Sequence, residues 1–237
     1  MKIAYVVLTC EKYLKERCHL IDNTWRTLID KEDSFYFLSS IPNPEKKVLG
    51  YQDPDDYEGA PFKMISFIKN ADIDTDWIFL CDDDTFVFPD RLRKLLQDHD
   101  ASKEACVCRL EPPSCDGGKF KVNFCYVWPN GGAGIIMSKP LFLSLKKYMQ
   151  RVKPGYMPYV KNGDISFGIW ARLIKFRNWV NRSDVLLYEH PNHQRVIDAG
   201  LDKIVSTHQC RQSEFEMLYS LALKDSNISN LSTVTAS

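Results

Sequence analysis

One stretch constrains the fold of this chain more than any other. Trp77-Ile-Phe-Leu-Cys81 runs straight into Asp82, Asp83 and Asp84. A second apolar run, Phe86 to Phe88, follows at once, and Pro89 opens a helical pattern that lasts to Gln97. A continuous apolar run of about five residues fits a strand buried on both faces. Acids at the carboxyl end of such a strand lie where open α/β sheets bind ligands. Three adjacent carboxylates repel one another, and a hard divalent cation relieves that repulsion by taking their oxygens as ligands. An isolated acid triplet reads as a solvated turn. With apolar runs on both sides the acids are pinned at a strand end, and a metal site becomes the better reading.

The flanking segments extend the same pattern. Residues 2–8 read as a first strand, and Ser34 to Ser39 as a second. Between them, Leu14, Cys18, Ile21, Trp25 and Leu28 recur near the helical period, which predicts an amphipathic helix over Tyr13 to Leu28. A turn-rich segment, Ile41 to Gly59, precedes a helix from Pro61 to Asn70 and then the acid-tipped strand. This alternation predicts an α/β fold: an open, mostly parallel central sheet with helices on both faces. Further on, Ala105 to Leu110 and Lys119 to Trp128 are strand candidates around a Pro112–Gly118 loop. Lys139 to Arg151 is a helix, and Ile165 to Ile174 an apolar helix for which Asp164 is suitably placed as N-cap. Val185–Leu187 and Lys203–Ser206 are short strand candidates, and Ser213 to Leu223 a closing helix. Residues 1–223 are expected to form a single domain, and the polar residues 224–237 a tail or a linker to further domains.

Charge and composition remove several function classes. The 31 basic and 31 acidic residues cancel, which gives no electrostatic case for nucleic acid. No stretch reaches the roughly 18–20 apolar residues of a membrane-spanning helix. The short apolar start, Met1 to Thr9, lacks a small-residue cleavage site and reads as a strand. That favours a cytoplasmic protein, or the Golgi lumen for an excised catalytic domain. No CxxC pair occurs among the eight cysteines; Cys106, Cys108, Cys115 and Cys125 cluster and are compatible with a disulfide in an oxidising lumen.

Several motifs then fall in an order that resembles one family. Lys63-Met64, Cys81-Asp-Asp-Asp-Thr85, Gly131-Gly-Ala-Gly134, Asn162-Gly-Asp164 and Thr207-His208 are similar in order and separation to those of the Fringe-like glycosyltransferases of family 31, which include the core-1 β-1,3-galactosyltransferases. Tyr13-Leu-Lys-Glu-Arg17 and Asp22-Asn-Thr-Trp25 resemble that family's first helix, and the likeness spans about residues 2–220. It implies a nucleotide-sugar-binding fold of the GT-A type with Mn²⁺ (or Mg²⁺) and a UDP-sugar donor. It implies metal ligation by Asp84 and His208, with Asp82 also near the metal, and contacts from Asp82 and Asp83 to the donor. Thr9 marks the start of the nucleotide pocket, and Lys63 a donor-side charge. Gly132, Ala133 and Gly134 line the floor beneath the transferred sugar, with Trp128 and Trp170 as candidate stacking faces.

The implied reaction is an inverting transfer of a sugar, galactose by family frequency, from UDP to a hydroxyl of a glycan or glycoprotein acceptor. Asp164 matches the second acid of the family's Asp-Asp motif and would be the general base, while Gly163 stands where the family has the first acid. Acid clusters at strand ends also serve metal-dependent phosphohydrolases, and a non-catalytic nucleotide-sugar or glycan-binding module is the third class. Phosphatases that use an Asp nucleophile place it after the first strand; here the cluster follows the third.

Overall fold

The computed structural model describes residues 1–51, 53–114, 125–152 and 160–234. Its elements in chain order begin with β1 (Ile3–Leu8), α1 (Arg17–Asp22), β2 (Ser34–Ser39), β3 (Val48–Gly50), α2 (Ala60–Asn70) and β4 (Trp77–Asp82). They continue with β5 (Phe86–Val87), α3 (Pro89–Gln97), β6 (Cys106–Cys108), β7 (Leu110–Ser114), β8 (Tyr126–Pro129) and β9 (Ile135–Ser138). The last six are α4 (Lys139–Arg151), α5 (Gly163–Leu173), β10 (Trp179–Asn181), α6 (Gln194–Ala199), β11 (Ser206–Thr207) and α7 (Gln212–Val234).

Among the described residues the central sheet has seven strands in the order β10-β6-β9-β4-β1-β2-β3. All pairings are parallel except those of β9, which runs antiparallel to both β4 and β6. The sheet is therefore mixed and mostly parallel. Its strands bury both faces, and side-chain alternation sorts them into two cores. Tyr5, Val7, Phe37, Trp77, Phe79 and Ile136 face the core that α1, α3 and α7 cover. Ala4, Val6, Leu38, Ile78, Leu80 and Met137 face the one covered by α2, α4 and α5. Each fully buried Leu, Val or Phe contributes about 1.5–3 kcal/mol relative to leaving it exposed. These two layers hold the strand ends, and so the site, in place.

Four expectations need correction. The helix over Tyr13 to Leu28 breaks into a 3₁₀ turn at Glu11–Tyr13, α1, and a second 3₁₀ turn at Trp25–Leu28. The cause is local: Asn23 Nδ2 donates to the His19 carbonyl at 2.8 Å and Thr24 Oγ1 to that of Leu20 at 2.6 Å. Such short polar side chains compete with the helical backbone pattern. Secondly, the helix at 163–173 begins with Asn162 at its N-cap, and Asp164 sits inside the first turn. Thirdly, Trp170 is fully buried among apolar side chains and offers no stacking face. Finally, Pro112 and Pro113 lie in β7, a strand of a separate two-stranded ribbon where a missing N–H is tolerated. Ser114 ends β7, and residues 115–124 lie outside the described residues.

Candidate active site

β4 ends at Asp82, and the chain turns through Asp83 and Asp84, closed by the Thr85 N–H donating to the Asp82 carbonyl at 3.2 Å. β5 then pairs antiparallel with β11, Thr207 opposite Phe86. One step beyond that pair, His208 faces the acid turn, and the Cys210 N–H donates to the Asp84 carbonyl at 2.9 Å. The two-strand pairing is therefore what brings the imidazole to the acids. His208 Nε2 lies 2.8 Å from Asp84 Oδ1 and 3.6 Å from Asp82 Oδ2. Tyr188 stacks on the ring with centroids 5.0 Å apart, and a Cβ at Gly132 would lie 2.6 Å from its Nδ1. Gly132 is thus needed for close approach rather than for turn freedom.

The three acids are not equivalent. Asp83 is 7 % exposed; its oxygens accept from Thr9 Oγ1 and from Arg17, both at 2.7 Å. It is spent on holding the first helix to the acid turn. Asp82 and Asp84, with side chains 42 % and 20 % exposed, keep oxygens directed to the His208 side. Burial would lift the Asp84 carboxyl, but the His208 hydrogen bond and charge, with help from Arg17, hold it below its ordinary value. His208 is correspondingly raised: burial opposes its charge, and Asp84 together with Asp82 and the Tyr188 backbone outweighs burial. Oxygens of Asp82 and Asp84 and a ring nitrogen of His208 all lie within 4.8 Å of one another. Two carboxylates and an imidazole fit a borderline divalent ion such as Mn²⁺.

Asp164 lines, together with Asp82, Leu8, Met64, Gly131 and Gly163 among others, a cleft of about 60 Å³. Its Oδ2 accepts from the Gly131 N–H at 3.2 Å and its Oδ1 from the Ile165 N–H at 2.7 Å. Burial raises its pKa above the ordinary value, against the pull of those two N–H groups. Gly132 and Ala133 form part of the turn before β9, in which Gly132 packs against the His208 ring. The turn's carbonyls are tied down by Thr85 Oγ1 to Gly132 at 3.0 Å and Ser206 Oγ to Ala133 at 2.5 Å. Gly134, at φ +102°, packs against the Phe79 ring, where a Cβ would lie 2.5 Å away.

Lys63 is only 2 % exposed; its ammonium meets Asp55 and the Thr9 carbonyl, both at 2.8 Å. It props the end of β1 rather than lying free in the cleft. Trp128 is half-buried and packs on Tyr126. Arg17 and Tyr188 went unassigned from sequence. Arg17 stacks on Tyr13 at 4.1 Å, but its contact with the acid turn joins segments distant in the chain and left no signal in the sequence. Tyr188 carried none either.

A mixed sheet with a carboxylate-rich strand end and a returning histidine defines a GT-A-like glycosyltransferase fold. Solved structures agree in fold: the galactosyltransferase LgtC in complex with donor and acceptor sugar analogs superposes with a TM-score of 0.52 at 12% identity, covering 93% of this chain and 95% of that one. A glycosyltransferase involved in glycosylation of the major capsid of PBCV-1 gives 0.51 at 14% identity, over 90% and 99%. The Fringe-like family model matches residues 1–165, and the chain belongs to that family. Among curated relatives, human (Homo sapiens) chondroitin sulfate synthase 3 is 26% identical over 205 residues, 80% of this chain and 23% of that protein. Glycoprotein-N-acetylgalactosamine 3-beta-galactosyltransferase 1 of Xenopus laevis is 26% identical over 173 residues, 71% and 44% respectively. The chain thus spans less than half the length of these relatives.

Proposed function

We propose that this chain is an inverting, metal-dependent hexosyltransferase that moves a sugar from a UDP-sugar to a hydroxyl of a glycan or glycoprotein acceptor. Galactose is the first donor to test, because the curated Xenopus relative is named for galactosyl transfer. Residues 1–223 would carry the activity. The observation that supports this reading best is that Asp164 shares one cleft with Asp82, which itself clusters with Asp84 and His208.

Asp82, Asp84 and His208 would hold the metal, which when bound neutralises charge on the departing diphosphate. A sugar hydroxyl is a poor nucleophile at neutral pH, so a positioned base must take its proton as it attacks. Asp164 is suited to that: its oxygens are oriented by two backbone N–H groups, and its raised pKa makes it a stronger base than an exposed carboxylate. Asp83 is committed to Thr9 and Arg17, whereas Asp164, in the same cleft as Asp82, is held by backbone N–H groups rather than by a cation.

The test is a screen of UDP-sugars with Mn²⁺, following UDP release with and without glycan acceptors. At least one donor should be consumed, and simple phosphate esters should release no phosphate. Asp84→Ala should abolish Mn²⁺-dependent UDP binding, whereas Asp164→Asn should bind UDP normally and lose transfer by about 100-fold or more. Hydrolysis of phosphate esters would point to the phosphohydrolase class. UDP binding with no turnover of any donor would point to a binding module.

A further inference from the structure

A polar network runs behind the site and is unused by the chemistry above. Glu111 on β7 accepts from Asn130 Nδ2 at 2.9 Å and lies 3.4 Å from Arg109 Nε. Arg109 donates to Glu189 at 2.7 Å, and the Glu189 carbonyl accepts from Thr207 Oγ1, also at 2.7 Å, one residue before His208. In the other direction, Asn130 Oδ1 accepts from the Ala133 N–H at 3.1 Å. The Asn130 N–H donates to the Arg109 carbonyl at 2.8 Å. The turn closed in this way presents the Gly131 N–H to Asp164.

This turn has an unusual need for an outside anchor. Gly131, Gly132, Ala133 and Gly134 bring almost no side chain with which to lock themselves, and glycine backbone is costly to order. The Thr85 and Ser206 hydroxyls hold two of the turn's carbonyls, Asn130, only 8 % exposed, holds the Ala133 N–H, and the Asn130 amide is in turn oriented by Glu111. A partly buried Glu–Arg–Glu row is a poor device for stability alone, since apolar packing would do as well without desolvating charge. It is a good device for register.

We propose that Glu111 is a positioning residue. Through Asn130 it holds the Asn130–Gly134 turn, and with it Asp164, in fixed register against the strand that carries His208. The inference rests on Asp164 being the base. A misplacement of about 1 Å at such a group costs on the order of 100-fold in rate.

The test compares Glu111→Ala with Glu111→Gln in the full chain, using Mn²⁺, UDP and whichever UDP-sugar turns over. Glu111→Ala should lower kcat about 10- to 100-fold while UDP affinity and donor KM stay within about twofold. Glu111→Gln, whose amide oxygen still accepts from Asn130, should recover most of the loss. Independently of turnover, hydrogen exchange at the Gly131 amide should quicken about tenfold in Glu111→Ala and return in Glu111→Gln. Unchanged kcat and Gly131 protection, a parallel loss of UDP affinity, or a Gln variant as impaired as the Ala variant would each overturn the proposal. Should Glu111→Ala fold poorly, Asn130→Asp sets two carboxylates against each other and should show the same split between kcat and KM. If Asp164→Asn retains transfer, the base assignment fails; if it silences transfer while Glu111→Ala does not, only the present proposal fails.

Discussion

At the scale of single residues, Gly163 and Asp164 show how neighbouring positions divide between packing and chemistry. The resemblance places an acid where Gly163 stands, and the structure supplies a reason for the glycine: a Cβ there would lie 2.6 Å from Met64 Sδ. Met64 is itself buried in the core beneath α2. Gly163→Asp should therefore lower stability by about 1–3 kcal/mol through overpacking, measured by chemical denaturation. An unchanged midpoint would mean that Met64 swings aside without cost. Asp164 makes a prediction about pH. As a base it must be ionised, and its pKa is raised, chiefly by burial. The ionised form is thus lost at a higher pH than for an ordinary carboxylate as pH falls. The acid limb of kcat, taken at saturating metal and donor, should sit clearly above pH ~4 and should be the limb that Asp164→Asn abolishes. A limb at or below that value would argue that Asp164 does not titrate in the rate-limiting step.

At the scale of elements, the site is a meeting of the acid turn after β4, the short β5–β11 pairing, the glycine turn before β9 and the first turn of α5. The acid turn and the existence of α5 are legible from sequence, because long apolar runs bounded by Asp or Gly leave little choice of period, although α5 starts two residues before Ile165. β4 and α4 end where hydrophobic patterning places them. β10 and β11 are three and two residues long, too short for any period to register, and their pairing partners are distant in the chain. That is why the acid triplet could be read as a cation site from the residues alone, while the roles of Asp84 and His208 within it depended on resemblance. Arg109, Glu111 and Glu189 escaped for the same reason: they meet only through the β7–β8 ribbon and the loop before α6. The join between acid turn and glycine turn gives a further prediction. Thr85 is fully buried and donates to the Gly132 carbonyl. Thr85→Val keeps the shape but leaves that acceptor without its donor, and should cost about 1–3 kcal/mol in denaturant unfolding. A neutral substitution would show that Asn130 and Ser206 suffice to hold the glycine turn.

At the scale of the whole molecule, two cores clamp one sheet, and the ligand-bearing ends of its parallel strands open on one edge, as expected of α/β folds. The closing helix runs on to Val234, beyond the Leu223 expected from its apolar spacing. Asp225 pairs with Arg91 of α3, whose guanidinium also donates to the Leu201 and Ile204 carbonyls, so the last helix and the segment leading to β11 share one anchor. The contacts of His208 with Asp82 and Asp84 tie this C-terminal part to the centre of the sheet. A divalent ion held by all three closes a long stretch of chain in the native state and has no such partner set in the unfolded one. Ion binding should therefore appear as stability of the entire domain. Mn²⁺ with UDP at 100 times its dissociation constant should stabilise the fold by about 2.7 kcal/mol, read as a rise in the thermal midpoint. In His208→Ala the same concentrations should give a much smaller rise, because one ligand is lost and the affinity falls with it. Should the His208→Ala protein gain as much from Mn²⁺ and UDP as the unaltered chain, the histidine would be a packing partner of Tyr188 and Gly132, and the metal would rest on the two aspartates.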